Sequence, residues 1–253
     1  MKVLVIGDVI IDKYIYGTSE RLSPEAPVPV VKHLHEVETL GGAGLVYENL
    51  KSLGVNVTLM ESDHGYRSVK TRVICDGHYV TRIDNDKRAS GNAVLADVLS
   101  NDFSQYEYVI LSDYDKGVLD NAKEIIAHIN TFGCKVLVDP KRPAGYYEGA
   151  WLIKPNMLEE SQYGFGQHHW NWIITDAKGP VRARINKVMY TVEPEQVEVS
   201  DVTGAGDCFL AAFVYGLTKG YEHKRCLELA VKGATEAVKH VGTHTLTVSD
   251  LEE

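Results

Sequence analysis

The chain is poor in cysteine, in net positive charge and in long apolar runs, and each shortage removes a class of function. Cysteine occurs only four times in 253 residues, at Cys75, Cys134, Cys208 and Cys226, widely separated and with no C-x-x-C pair. We read these as reduced thiols of a cytoplasmic protein, in or near the core. Lysine and arginine total 26 against 35 aspartates and glutamates, a formal net charge of −9. That balance argues against an extended nucleic-acid surface, yet a few local cations would still serve an anionic small molecule. No apolar run is long enough to span a membrane, and MKVLVIGDVIID is too short in its apolar part for a signal peptide. It reads as a first strand. Internal repeats and low-complexity tracts are also lacking, and the length suits one large domain, or one domain with a small appendage.

Two site types are weakly represented. His168-His169 lies in a polar loop without nearby carboxylates, which predicts solvent-exposed side chains rather than metal ligands. The dinucleotide fingerprint G-x-G-x-x-G fails because Phe209 stands where its third glycine would be.

What is present centres on DVTGAGDCFLAAFVYGLTKG, from Asp201 to Gly220. A tight glycine turn precedes an apolar run at helical spacing, Phe209, Leu210, Phe213, Val214 and Leu217, with Gly220 as its stop. Gly204 and Gly206 free the backbone to bring N–H groups round an anion, and the helix behind adds about half a positive charge. Asp207 falls at that anion site, where phosphate would repel it. One role is to open the helix; the other is to act as the base that takes a proton from a hydroxyl attacking phosphorus.

Val3 to Ile6 reads as a buried parallel strand ending in Gly7-Asp8, with Asp12 just beyond to hold substrate hydroxyls. Tyr14 to Gly17 and Val28 to Leu34 read as strands, and Val69 to Cys75 with Tyr79 to Ile83 as a hairpin across Asp76-Gly77. These alternating, partly polar strands predict a separate small sheet covering the site as a lid, drawn from about 12–36 and 68–84 of a single domain 1–253. Its exposed apolar face motivates a homodimer. Gly41-Gly42 precede a helix that buries Leu45, Leu50 and Leu53, and permit close approach to a ligand.

From residue 92 helices and strands alternate as in a parallel sheet wrapped by helices. Strand ends bring Asp113 and Lys116, then Asp139 and Lys141, then Lys154, Asn156 and Glu159 to one edge, a mixed site suited to phosphate chelated by magnesium. Two further β segments follow Trp172 to Thr175 and Lys178-Gly179. The last long helix is expected from about His223 to His240.

In order, GDVIIDKYIYG, SPEAPVPVVK, LGGAG, SDYDKGVL, VDPK, KPN with Glu159, DVTGAGD and a late VGT resemble the ribokinase-like sugar kinases of the PfkB family. Within it they are most similar to kinases that phosphorylate D-glycero-D-manno-heptose 7-phosphate at its anomeric hydroxyl. The resemblance implies an α/β fold, a three-layer α/β/α sandwich with a mainly parallel sheet and a β lid often used for dimerisation. It also implies magnesium-dependent phosphoryl transfer from ATP. Asp207 would be the catalytic base and the Gly204, Ala205 and Gly206 amides the anion hole. Asn156 and Glu159 would match an N-x-x-E element orienting phosphate and magnesium through water. Asp12, Gly41 and Gly42 would contact sugar, with Arg72, Asp113, Lys116 and Lys141 around substrate or phosphate groups. Thr175, Gly179 and the stretch from Ala234 to Gly242 would lie near the nucleotide. Asp201 and Thr203 would match a monovalent-cation (K+) site.

The chain also departs from that pattern. Leu45 replaces an Asn, the stretch from Met60 to Arg67 lacks a helix and a strand, and a helical segment between Glu160 and Trp172 is abbreviated. A non-catalytic binding protein on the same fold, or a kinase for another small alcohol, therefore remains a rival expectation.

Overall fold

The computed structural model describes residues 1–61, 67–169 and 171–252. The chain begins β1 (Lys2–Gly7), β2 (Val9–Thr18), β3 (Lys32–Gly42), α1 (Ala43–Ser52), β4 (Asn56–Met60), β5 (Ser68–Cys75) and β6 (His78–Asn85). It continues through α2 (Gly91–Ser100), β7 (Tyr108–Ser112), α3 (Ala122–Asn130), β8 (Lys135–Asp139), β9 (Leu152–Ile153), α4 (Met157–Tyr163) and α5 (Phe165–His168). It closes with β10 (Trp172–Ile174), β11 (Val181–Ile185), β12 (Val188–Val192), α6 (Ala205–Thr218), α7 (His223–Ala237) and α8 (Val248–Glu252).

β1 is apolar and fully buried from Val3 to Ile6, so both its faces need cover. Eight strands in the order β12-β11-β10-β9-β8-β7-β1-β4 supply the sheet, parallel from β4 to β10 and antiparallel only across β11 and β12. Val3, Val5 and Ile110 pack with residues of α1, α6 and α7 on one face. Leu4, Ile6 and Val109 pack with those of α2 and α3 on the other. The result is an α/β/α sandwich, as expected. Each such side chain contributes roughly 1.5–3 kcal/mol on burial, so the sheet is a rigid platform. Its parallel register sets the strand ends side by side, with Gly7 beside Ser112 and Ser112 beside Asp139.

A second, four-stranded sheet, β3-β2-β5-β6, stands apart. The hairpin of β5 and β6 turns at Asp76 (φ 50°) and Gly77 (φ 81°), both in the left-handed region such a turn uses. Every residue of β6 is exposed.

Four details differ from the sequence expectation. Val28 to Val31 lies outside the strands, and β3 begins at Lys32, because Pro27 and Pro29 cannot donate to a ladder. β3, not expected to reach so far, then runs through Gly41-Gly42 directly into α1. α7 stops at Ala237, short of His240. His169 is buried against Phe165, at 6.3 Å between ring centroids, rather than solvent-exposed. The four cysteines are free and buried, as expected. Most of the short connection between Met60 and Arg67 lies outside the described residues. Among the described residues no helix is long and apolar enough to cross a membrane.

Candidate active site

Gly204 opens α6 with φ 78°, a backbone angle that strongly favours glycine, and a Cβ there would come within 2.5 Å of the Leu45 side chain. The turn it makes leaves the N–H groups of Gly204, Gly206 and Asp207 without an acceptor among the described residues. The Ala205 N–H differs, since it reaches the Val202 carbonyl at 3.3 Å. Unpaired amides at the positive end of a 14-residue helix have the geometry of an anion cradle. A lysine adds to it: the Lys154 Nζ would stand 3.6 Å from a Cβ at Gly206.

Asp207, 4% exposed, sits in the first turn of this helix. Burial, reinforced by the nearby Asp139 carboxylate, lifts its pKa to about 7. A hydrogen bond from the Tyr114 hydroxyl to Oδ1 at 2.7 Å and the Lys154 ammonium oppose that rise. Asp139 is raised to about 6, because burial outweighs its 3.0 Å ion pair with Lys154. A carboxylate poised near neutrality beside an anion cradle suits general-base work.

On one side of this centre lies a cavity of about 940 Å³. Lys141, Asn156, Glu159 and Thr175 are among its polar lining, and Val197, Val199, Val231, Ala234 and Val238 among its apolar lining. A lining of both kinds suits a ligand with an apolar planar part and charged groups, such as a nucleotide. Ala234 and Val238, in the stretch expected near the nucleotide, are half-buried and line this space. Gly179 does not line it; a Cβ there would meet the Asp176 carboxylate. Asn156 and Glu159 form a reciprocal cap of α4: the Glu159 N–H donates to Asn156 Oδ1 (2.9 Å), and the Asn156 N–H to Glu159 Oε2 (3.0 Å). Lys141 completes the group at 3.2 Å from Glu159 Oε1.

On the lid side, Asp12 is buried and paired with Arg72, whose guanidinium also lies over the Tyr14 ring. A Cβ on Gly41 would fall 2.1 Å from Asp12 Oδ2, so glycine is what lets the carboxylate lie against the chain there. Lys116 is paired with Asp86 at 2.7 Å. Asp113 has a wholly enclosed side chain, engaged by Arg142 and by the Tyr147 hydroxyl (2.7 Å), and is therefore spent on the loop rather than turned to a ligand. Asp201 is saturated. Thr203 donates N–H and Oγ–H to Oδ1, while Tyr79 of the lid and the Gly242 N–H donate to Oδ2.

Tyr114 went unassigned in the sequence, and Asp139 and Lys154 were named there only among the charged strand ends, not as a buried pair. A lysine ending the apolar run WLIK was a usable signal, since burial of an ammonium demands a partner. Asp8, readable as a mere turn residue, accepts the backbone N–H groups of Tyr114, Lys116 and Val118 and so shapes the whole 113–118 loop.

A buried carboxylate beside unpaired turn amides, next to a large mixed-lining cavity and the pocket of Asp12, Gly41 and Gly42, suits a small-molecule phosphotransferase with an alcohol acceptor. Residues 42–250 match the pfkB family carbohydrate kinase profile, and the chain belongs to that family. The bifunctional protein HldE of Nitratiruptor sp. is 32% identical over 299 aligned positions, covering 100% of this chain and 64% of that protein. HldE of Syntrophotalea carbinolica is 32% identical, with 100% and 62% covered. The chain thus spans somewhat under two-thirds of these relatives, and the 299 positions exceed its 253 residues, so the relative carries stretches with no counterpart here. Among solved structures, phosphofructokinase-2 of Escherichia coli in complex with potassium superposes with a TM-score of 0.76 at 14% identity, covering 99% of this chain and 96% of that one. A nucleoside kinase of Burkholderia thailandensis in complex with inosine gives 0.73 at 16%, covering 100% and 95%. These likenesses establish the ribokinase-like fold.

Proposed function

We propose that the chain transfers the γ-phosphoryl group of ATP to the anomeric hydroxyl of a heptose 7-phosphate. The observation that carries this is Asp207, a buried carboxylate with its pKa near 7 between free turn amides and the pocket of Asp12, Gly41 and Gly42. The identity of the acceptor rests on the resemblance to heptose kinases and on the HldE relatives.

Asp207 takes the proton of the acceptor hydroxyl at Oδ2, since Oδ1 is held by Tyr114. The Gly204 and Gly206 amides and Lys154 face the charge that develops on the phosphoryl oxygens. Asp12 holds acceptor hydroxyls against Gly41-Gly42. Among the described residues no three His, Cys, Asp or Glu side chains gather as a metal cage. Magnesium keeps several waters and is carried largely by phosphates, so a lone carboxylate suffices, and Glu159, beside Lys141, would be the residue to hold it through water. Magnesium supplies neutralisation of the phosphate charge. Asp201 does not fit a potassium site, because its carboxylate already accepts from four donors.

The rest of the reading is one kinase domain, residues 1–253, covered by the lid. It pairs with a second copy through the lid, whose exposed apolar side chains include Leu34, Val37, Val80 and Ile83. Leu45 favours an acceptor that needs no polar partner at that point, as its side chain packs beneath Gly204. The test is Asp207→Asn, which should cut phosphoryl transfer by about a thousandfold or more while ATP binding persists. Near-normal turnover would overturn the assignment.

A further inference from the structure

We infer that Tyr114 is a positioning residue that holds the Asp207 base and keeps it ionised, and that the Asp8 carboxylate sets Tyr114 in place by gripping its loop. The inference rests on the reading of Asp207 as base. Its hydroxyl donates to Asp207 Oδ1 at 2.7 Å, leaving Oδ2 without a hydrogen bond among the described residues. The geometry therefore fixes one oxygen and frees the other for the acceptor.

Tyr114 is itself over-determined. Its backbone N–H donates to Asp8 Oδ2 at 2.9 Å, and the same carboxylate takes the N–H groups of Lys116 and Val118. Asp115 takes φ 55°, a left-handed angle held by its N–H bond to Asp113. The ring edge lies where a side chain at Gly42 would collide, and the Lys70 ammonium stands 5.9 Å from the ring centroid. The residue lines the large cavity and lies beside Gly42 of the proposed acceptor pocket, so it stands at the junction of the two.

The charges facing the pair are Asp139 from β8, Lys154 beyond β9 and Asp12 from β2, with Lys70 of β5 against the ring and Cys208 next to Asp207 on α6. Burial and these carboxylates hold the phenol far above its usual pKa, so it remains a donor wherever the enzyme works. A donor to an ionised carboxylate favours the charged form, and losing it lets burial and Asp139 push Asp207 further up.

Tyr114→Phe removes one oxygen and retains the ring packing. Two readouts apply: carbon-13 titration of the Asp207 carboxyl, assigned with Asp207→Asn and needing no acceptor, and the pH profile of kcat. We expect both the titration and the acidic limb of kcat to move up by about one pH unit. kcat at its plateau should fall about tenfold, the loss of one charge-assisted hydrogen bond, with KM for ATP unchanged. Site-specific 3-fluorotyrosine at 114, a more acidic phenol of nearly the same shape, should move both downward. An unmoved titration and limb in Tyr114→Phe, with kcat merely scaled, would overturn the inference. Failure of the base assignment shows separately, as turnover retained in Asp207→Asn.

Discussion

At the scale of single residues, function has been placed on groups that burden the fold. Asp207 is the clearest. Its pKa is raised from 3.8 to about 7, so between those values the folded state binds more protons than the unfolded one. Stability from this group is therefore present below about pH 4 and is lost as pH rises through 7. Removing the charge in Asp207→Asn should then raise Tm by about 5–10 °C at pH 8, equivalent to about 2–4 kcal/mol, and change little near pH 4. Thermal unfolding at the two pH values checks it; equal Tm at pH 8 would show that the carboxylate is not strained by burial. For the same reason kcat of the native enzyme should decline below about pH 7 as the base is protonated. Lys154 makes the complementary case. It is 4% exposed and paired with Asp139, so Lys154→Met should cost about 3–5 kcal/mol by stranding a buried carboxylate. Adding Asp139→Asn should restore Tm but not activity, because the cation at the anion cradle is still missing. Recovery of activity in the double variant would deny Lys154 its role.

At the scale of elements, legibility followed the reach of each interaction. Most parallel strands and the longer helices of the sandwich were readable because continuous apolar runs and 3.6-residue spacing are local signals, whereas the short β4 was not read. α6 and its glycine turn were readable for the same reason. β3 was misplaced because alternation in VPVVK persists across prolines that cannot join a ladder. The hydrogen bond from Tyr114 to Asp207 spans 93 positions, and the grip of Asp8 on the 113–118 loop spans more than 100, so neither leaves a local trace. Asp113 looked like a ligand for the same reason in reverse: its partners, Arg142 and Tyr147, are far along the chain. The junction of β3 and α1 carries its own prediction. Gly41→Ala would thrust a methyl into the Asp12 carboxylate. KM for the acceptor should rise about tenfold, the loss of one good polar contact, with KM for ATP unaltered. Steady-state kinetics with each substrate varied would check this, and an equal rise in both would place Gly41 outside the acceptor pocket.

At the scale of the molecule, the rigid sheet gathers four strand ends at one edge and the separate lid sheet stands over them, joined to the site by the bond from Tyr79 to Asp201. The exposed lid face predicts a dimer by light scattering at micromolar concentration, and Ile83→Lys with Leu34→Lys should return it to monomer. A monomeric native chain would contradict that part. The family and fold were legible in the sequence because the motifs run nearly its whole length. The acceptor was not, because the pocket proposed for it is assembled from β2, β3 and β5, separate segments of the chain. The most direct measurement is phosphorus-31 NMR of the chain with ATP, magnesium and D-glycero-D-manno-heptose 7-phosphate. The expected result is a new resonance from a phosphate on the anomeric oxygen, growing as ATP is consumed and absent with Asp207→Asn. Binding of ATP without transfer to this or any other sugar phosphate would contradict it.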